Sequence, residues 1–399
     1  SELPEAYAIV NPLLFDNLYG SEPAAVGVAY KVLEELFHRM QVTFDADRFL
    51  DLVGLGMVCD MAPLRDESRD LVRLGINALR KTSRSGIKAL CGSAGLAEID
   101  IDAESIGWIL GPRLNAAGRM AHADLAFELL ISTNTDNSVQ LARQLEDLNK
   151  FRRKETEAAL VISEDIIQDK YRDELPQILV VASDDISAGI IGLCASRLAD
   201  MYNRPAIVIN SSSDEARASC RSIDGFDMLR PLRAASDLLL KFGGHRAAAG
   251  FSINKSNLAA LEERLGTLDL FAQPDDLVTP KLAIDLNLPF DFIDEKFLQY
   301  LALFEPHGIG NKKPVFYASD VLMSSSRTMG KDSRHLRATF TSGTQTWQAV
   351  GWGFGEYSVF EGQRFDLAYN FKRNVATYGR LYGSSLELEI IDLQRRASW

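Results

Sequence analysis

Residues 133–171 read TNTDNSVQLARQLEDLNKFRRKETEAALVISEDIIQDKY, and the reading of this stretch decides how the rest of the chain is partitioned. Residues with short polar side chains open it at 133–137 and Pro176 follows its end, with no Gly or Pro between, so one long helix is expected. One face carries positions 141, 145, 148, 152, 155, 159, 162 and 166, which are Leu, Leu, Leu, Arg, Glu, Ala, Ile and Ile. An apolar seam broken in its middle by charge is expected of a helix whose two ends pack into different cores. The helix is read as a bridge, with a domain boundary at it.

Downstream of it, short runs rich in β-branched residues alternate with a helical pattern: strands at 178–182, 206–209 and 217–223, and a helix through 190–201. That rhythm describes a small α/β domain ending near Leu265. Past a linker at 272–279, strand-like runs take over at 281–288, 315–324, 336–341, 346–352, 364–371 and 385–391, the pattern of a small barrel or sandwich. Upstream, apolar residues recur at helical spacing over 24–40, 49–58, 69–81 and 103–109, the helical side of a further α/β region.

The 399 residues exceed what one hydrophobic core usually serves, so two or three domains are expected. With 46% hydrophobic and 25% charged residues the composition excludes a disordered or fibrous chain. No apolar run approaches the roughly 20 residues of a membrane-spanning helix, and no membrane association is expected. The opening Ser-Glu-Leu-Pro-Glu lacks an initiator Met and a targeting signal, and is read as the start of a fragment. Cys59, Cys91, Cys194 and Cys220 form no Cys-x-x-Cys pair, which argues against zinc and disulfides and for a reducing cytoplasm. The net charge of −12 is unevenly spread: residues 301–399 hold twelve Lys and Arg against nine Asp and Glu, net +3, and the rest of the chain is net −15.

Several motifs stand out, each with a plain structural alternative. Gly54-Leu55-Gly56 lacks the third glycine of a dinucleotide fingerprint. Asp60 lies in an apolar setting between Cys59 and Met61-Ala62-Pro63-Leu64, where a carboxylate is expensive unless it caps a helix, pairs or binds metal. The segment from Gly111 to Met120 combines small residues with Arg113 and Arg119, suited to phosphate contact or to a tight turn with ion pairs. On a strand, Ser219 and Arg221 would share one face. Gly243-Gly244-His245 is a glycine-rich turn whose amides and imidazole could converge on an anion. Together these supply an acid, phosphate donors and a His without a hydrolase triad or zinc spacing, which points to phosphoester chemistry.

The ordered series Cys59 to Leu64, Gly111 to Met120, Gly189-Ile190-Ile191-Gly192, Ser196-Arg197, Arg204-Pro205, Ser219 to Ile223, Gly225-Phe226-Asp227 and Gly243-Gly244-His245 closely resembles the RecJ family of single-strand-specific DNA exonucleases, within the DHH phosphoesterase superfamily. The run from Glu305 to Phe316 resembles the start of that family's oligonucleotide-binding barrel. The resemblance implies an α/β architecture with a C-terminal all-β barrel: the end of a DHH catalytic domain over 1–132, a connecting helix over 133–175, a DHH-associated domain over 176–268 and an OB-like domain over 278–399. It implies Mn²⁺ or Mg²⁺ as cofactor with Asp60 as metal ligand, and Asp60, Arg221 and His245 as catalytic residues. Arg113, Asn115, Arg119, Ser219, Ser222, Gly243, Gly244, Lys331 and Arg334 fall on the substrate side.

Two departures qualify the carry-over. No His-His dipeptide occurs anywhere, so the family's Asp-His-His segment is absent from these residues, and the Asp45/Asp47 and Asp100/Asp102 pairs lie too late to be its Asp-x-Asp motif. Where the family has Trp-His before its Gly-x-x-Gly motif, this chain has Ile186-Ser187. The resemblance thus implies a metal-dependent 5′-to-3′ exonuclease acting on single-stranded DNA in repair and recombination, present here without most metal ligands. The alternative is a non-catalytic scaffold that binds single strands or replication proteins. Single-stranded DNA is the expected partner, with a single-strand-binding protein or helicase beside it. The barrel is expected to contact it through Lys312, Lys313, Arg327, Lys331, Arg334, Arg337, Lys372 and Arg373 among Phe316, Trp347, Trp352 and Tyr378.

Overall fold

A computed structural model of the chain describes residues 4–12, 14, 22–172, 174–268, 281–330, 332–373 and 386–396. It falls into two compact units, Ser1–Leu79 with Asp102–Glu104 and Leu282–Trp399, and Arg80–Ile101 with Ser105–Lys281. No helix among the described residues is long and apolar enough to cross a membrane.

The first unit opens with helices α1 (Ala25–Arg39), α2 (Asp47–Cys59) and α3 (Asp66–Leu79). Helices α2 and α3 meet backbone to backbone at Gly54 and Gly75, where a Cβ on Gly75 would stand 2.4 Å from the Gly54 Cα. Small residues at a crossing let two helices approach this closely, and Leu50, Val53, Leu71, Val72 and Ile76 bury themselves around it. The Gly-x-Gly of the sequence is therefore a helix-packing device.

The second unit begins with α4 (Ser85–Ala94). A short helix α5 (Ala103–Ser105) straddles the boundary between the units and runs through a π turn at Ile106–Leu110 into α6 (Gly111–Met120). The segment from Gly111 to Met120 is thus a helix and not the tight turn that its glycines suggested. After α7 (Asp124–Ile131), the Asn134 side chain accepts from the Asn137 N–H and starts α8, which runs unbroken over Thr135–Lys170. At 1.5 Å per residue its 36 residues span about 54 Å. Leu141, Ala142 and Leu145 are buried toward one end and Ala159, Ser163 and Ile167 toward the other, so the interrupted seam is real. All of α8 lies inside the second unit.

The sheet that follows has order β1 (Leu179–Ser183), β2 (Ala206–Asn210), β3 (Glu215–Arg221), β5 (Ala248–Asn254), β4 (Leu239–Gly244), parallel between β1 and β2 and antiparallel elsewhere. One face packs Val180, Ile207, Cys220 and Phe251 under Met228 and Leu232, the latter in α10 (Leu229–Ala234), and under Leu261 of α11 (Leu258–Thr267). The other packs Leu179, Val181 and Val208 under Cys194 and Leu198 of α9 (Ile191–Tyr202) and under Ala159 and Ile167 of α8. Strands β4 and β5 escape the sequence reading because a Gly-Gly and Ala-Ala-Ala-Gly hairpin lacks β-branched residues.

The chain then returns to the first unit through β6 (Leu286–Asn287) and α12 (Glu295–Ala302). The strand expected over 281–288 shrinks to the two residues of β6, because only Leu286 and Asn287 find a partner, on β7. Strands β7 (Phe316–Met329), β8 (His335–Ser342), β9 (Gln345–Gly351), β11 (Leu386–Arg395) and β10 (Arg364–Arg373) pair in that order, and β10 pairs back onto β7 to close a five-stranded barrel. Strands β9 and β11 run parallel and the other pairs antiparallel, which is OB-like. Phe316, Phe340, Phe365 and Tyr369 fill it, and the buried Tyr369 hydroxyl is satisfied by donating to the Leu288 carbonyl at 2.7 Å.

The crossing of α2 and α3 makes a direct test. Gly54→Ala or Gly75→Ala should destabilise the chain by about 1–3 kcal/mol or more, the usual cost of overpacking. Gly92→Ala in α4, with open space at its Cβ, should be neutral or slightly stabilising. Urea denaturation followed by helical circular dichroism reads all three, and unaltered midpoints at both Gly54 and Gly75 would contradict the packing described.

Candidate nucleic-acid interface

In the second unit, strand register sorts the motif residues. Ala216, Ala218 and Cys220 of β3 turn into the core beneath α10 and α11, which puts Arg217, Ser219 and Arg221 on the α9 face. Across β5 these three pair with Ser252, Gly250 and Ala248, and onward on β4 Lys241 and Gly243 pair with Ser252 and Gly250. Arg217, Lys241, Gly243, Gly244 and His245 are exposed and Ser219 and Arg221 half-buried, so this end of the face is open. His245 follows β4 directly, its N–H donating to the Ala248 carbonyl at 2.8 Å, and so lies about 10 Å from Arg221, two strand spacings away.

Helix α9 begins at the edge of this strip. A Cβ on Gly192 would stand 3.1 Å from both Ser219 Oγ and Arg221 Nη2, so glycine seats the first turn of α9 against the pair with no need for either side chain to shift. Gly189 meets the Arg119 carbonyl oxygen at 2.2 Å from where its Cβ would be, which seats the end of α6 against the same turn. Arg221 Nη1 donates to Ser219 Oγ at 3.0 Å and to the Cys220 carbonyl at 2.8 Å. Burial lowers the Arg221 pKa, and the nearby Arg119 charge lowers it further against an opposite pull from Cys220. Ile186 is wholly buried beneath α9 and Ser187 exposed.

More guanidinium groups gather at the middle of α8. Arg113 is engaged by Glu146 at 2.6 Å and by the Ile109 carbonyl at 2.6 Å, the ion-pair role that was its structural alternative. Arg119 and Asn115 are exposed on α6. Arg152 carries a lowered pKa from burial and then from Arg119, Arg153 and Arg113, and its buried Nε has no hydrogen-bond partner. Asn149, one turn earlier and only 4% exposed, has an unpartnered Oδ1. The sequence reading missed both residues. The only trace was the break in the apolar seam at position 152, read there as a bridge between domains rather than as a charged site. Ser222 has a structural role, its hydroxyl donating to the Phe226 carbonyl at 2.8 Å in the turn after β3.

In the first unit, Asp60 sits at the C-terminal end of α2 and is exposed, so the costly apolar burial anticipated for it does not arise. The helix ends there and Met61 takes a left-handed conformation at φ 60°. Barrel-side loops hold the turn that follows: Leu64 N–H donates to the Ile309 carbonyl at 2.6 Å, and Arg69 donates to the carbonyls of Leu303 and Glu305 at 2.7 and 3.1 Å. A carboxylate at the negative end of a helix favours a nearby cation. Among the described residues, however, no three His, Cys, Asp or Glu side chains gather where they could hold a metal ion, so these residues do not by themselves fit a Mn²⁺ or Mg²⁺ centre.

The barrel's basic residues divide. Lys313 and Lys372 pair with Glu104, and Arg337 pairs with the buried Glu387 at 2.7 Å. Lys312, Arg327 and Arg334 are exposed, with Arg327 directly opposite Arg337 across β7 and β8. Among the aromatics, Phe316 is a core residue and Trp347 packs against the core, whereas Trp352 is half-exposed. Lys331 and Tyr378, the linker at 272–279 and the side chain of Arg373 lie outside the described residues.

Comparison with known proteins follows this geometry. Residues 175–269 match the DHHA1 domain and residues 284–380 the RecJ OB domain. The single-stranded-DNA-specific exonuclease RecJ of Bacillus subtilis is 31% identical over 92% of the chain and 46% of its own length. Escherichia coli RecJ is 36% identical over 67% of the chain and 49% of its length, and Thermus thermophilus RecJ 29% over 84% and 47%. The chain spans about half the length of these curated relatives. Crystal structures of T. thermophilus RecJ with Mg²⁺ and with Mn²⁺ superpose at TM-scores of 0.80 and 0.78, 25% identical, covering 97% of this chain and 58% and 55% of theirs.

Replacing Arg152 tests the guanidinium cluster. Arg152→Met should raise the melting temperature by relieving like-charge crowding. It should also weaken binding of single-stranded oligonucleotide and reduce the slope of log affinity against log salt by about 0.7, one phosphate contact. Unchanged affinity with a raised melting temperature would mean that the cluster faces no ligand.

Proposed function

We propose that this chain, a RecJ relative carrying a DHHA1 domain and a RecJ OB domain, supplies the strand-gripping part of a 5′-to-3′ exonuclease acting on single-stranded DNA. The observation that carries the reading is the convergence of Ser219, Arg221, Arg119 and Arg152 beside the first turn of α9, with Glu146 engaged on Arg113 as the carboxylate at that cluster. Like charges held together at the cost of desolvation are stabilised by an anion. The alternation of hydroxyl, guanidinium and helix-start amides suits a phosphodiester.

In this reading Ser219 and Arg221 donate to the non-bridging oxygens of a phosphate, and Gly192 keeps the amides of α9 close enough to add to them. Arg119 and Arg152 make the local potential more positive for the following phosphates. The exposed imidazole of His245 and the side-chain-free surface of Gly243 and Gly250 leave room for a nucleotide on the open sheet face. These donors act where negative charge grows as the phosphoryl group is attacked, so they lower the barrier beyond what binding alone gives. A divalent cation such as the Mg²⁺ and Mn²⁺ held by the T. thermophilus structures would activate water; Asp60 is this chain's own candidate contribution to it. The remaining ligands would come from an Asp-His-His segment. The proposed setting is a reducing cytoplasm, in which the four free cysteines Cys59, Cys91, Cys194 and Cys220 would stay unpaired.

Two measurements test the proposal. Purified chain should bind 5′-labelled single strands at low salt and yet cleave them no faster than its Asp60→Ala variant at saturating Mn²⁺; Asp60-dependent cleavage would show a complete site among these residues. In a protein that also supplies the Asp-His-His segment, Arg221→Ala and His245→Ala should each reduce turnover on the order of 10²-fold with little change in melting temperature. Near-parental turnover in both would assign the two residues to scaffolding.

A further inference from the structure

We propose that Glu104 occupies a phosphate subsite of the barrel unit, and that a phosphodiester of bound single-stranded DNA takes its place between Lys313 and Lys372, with Trp352 stacking the attached base. The inference rests on the single-strand-binding reading and adds to it a specific site and a carboxylate that competes for that site.

The geometry is that of an anion held by two cations. Glu104 Oε2 lies 2.6 Å from Lys313 Nζ and Oε1 lies 2.9 Å from Lys372 Nζ, so one carboxylate bridges two ammonium groups as the two non-bridging oxygens of a phosphodiester can. Burial opposes the charge on Glu104, but the two lysines overcome it and hold its carboxyl below the ordinary range. Glu389 sits farther off, 3.9 Å from Lys313 and 3.8 Å from Lys372, and would stay behind in an exchange. Removing Glu104 leaves Lys313, Lys372 and Arg337 against Glu389 and Glu387, one positive charge in excess, and one phosphodiester restores neutrality. The lysine side chains are 29% and 20% exposed and that of Glu104 34%, so a ligand can reach the pair from solvent.

An aromatic platform adjoins the cations. The Trp352 ring lies 5.3 Å from Lys372 Nζ, its Nε1–H donates to Glu389 at 3.1 Å, and half of its surface is open. The His335 ring meets it edge-on at 5.0 Å, and His335 Nδ1 accepts from the Gly353 N–H at 3.1 Å, which leaves Nε2 to carry the proton in the neutral ring. Trp352 thus has Lys372 over its ring, Glu389 at its Nε1–H and His335 packed perpendicular to it, with half of its surface left open, and such exposed indoles in single-strand-binding barrels stack bases without reading sequence. Arg334, exposed next to His335, adds a further cation at the approach.

Glu104→Gln keeps the side-chain shape and removes the competing charge. Fluorescence anisotropy with labelled oligothymidylate on the whole chain should show affinity raised about three- to tenfold at low salt, with a salt slope steeper by about 0.7, one further phosphate neutralised. Glu104→Ala gives the same sign if the Gln variant folds poorly. Adding Lys372→Met to Glu104→Gln should return affinity to the parental level or below. Trp352→Phe should abolish the quenching of indole fluorescence that the oligonucleotide causes. Affinity unchanged or weakened in both Glu104 variants, with a lowered melting temperature, would make Glu104 a structural brace and overturn the proposal while leaving the single-strand reading intact. A parental chain that binds no single strand at all would overturn both.

Discussion

Helix α8 packs its two ends through separate apolar patches and carries polar and charged residues, partly buried, between them, and the second unit is organised around that constraint. One end rests on α4, α6 and α7 and the other on α9 and β1, each contact made by its own apolar patch. Between them the helix presents Arg152 and Asn149 with polar atoms that find no protein partner. Helix α6 brings Arg119 to that gap, and α9 brings its first turn to Arg119 through the close approach at Gly189. The basic cluster thus lies between the two apolar patches of one helix, where Asn149 is buried and Arg152 partly so.

The sheet obeys a related limit. Its α9 face is paved with aliphatic side chains on β1 and β2 and stops being so at β3, where Ser219 and Arg221 lie against the first turn of α9. From β3 onward the same face carries Arg217, Ser219, Arg221 and Lys241 above glycine and alanine. The edge of the helical cover therefore coincides with the donors, and Gly192 at that edge lets backbone amides join them. In the barrel unit the corresponding cations are already paired, Lys313 and Lys372 with Glu104 and Arg337 with Glu387. The two surfaces differ in kind: in one the guanidinium groups of Arg119, Arg152 and Arg221 crowd one another, in the other a carboxylate holds the cations.

How much of this was legible in the sequence follows from the range of the interactions. The long helix, the strands of the barrel and the shared face of Ser219 and Arg221 rest on periodicity, a local property, and the structure shows them close to their expected bounds, the run at 281–288 excepted. Strands β4 and β5 were hidden because their glycines and alanines carry no β signal, although cross-strand pairing with β3 makes them strands. The exposure of Asp60 depends on α2 ending there, and its apolar neighbours in sequence point elsewhere. In the sequence Arg152 reads as part of a bridge between domains, because the unpartnered state of its buried Nε is a fact of tertiary packing. The pairing of Lys313 and Lys372 with Glu104 joins residues more than two hundred positions apart, which no local pattern encodes.

The central claim is that the strip formed by α6, the middle of α8, the first turn of α9 and the end of β3 is a phosphate-binding surface. Hydrogen exchange of the chain with and without saturating oligothymidylate tests it most directly. The account predicts slowed exchange at residues 189–195 and 217–222 and at the centre of α8, lost again at high salt, with α3 unaffected. Protection confined to the barrel, with the strip exchanging at its free rate, would contradict it.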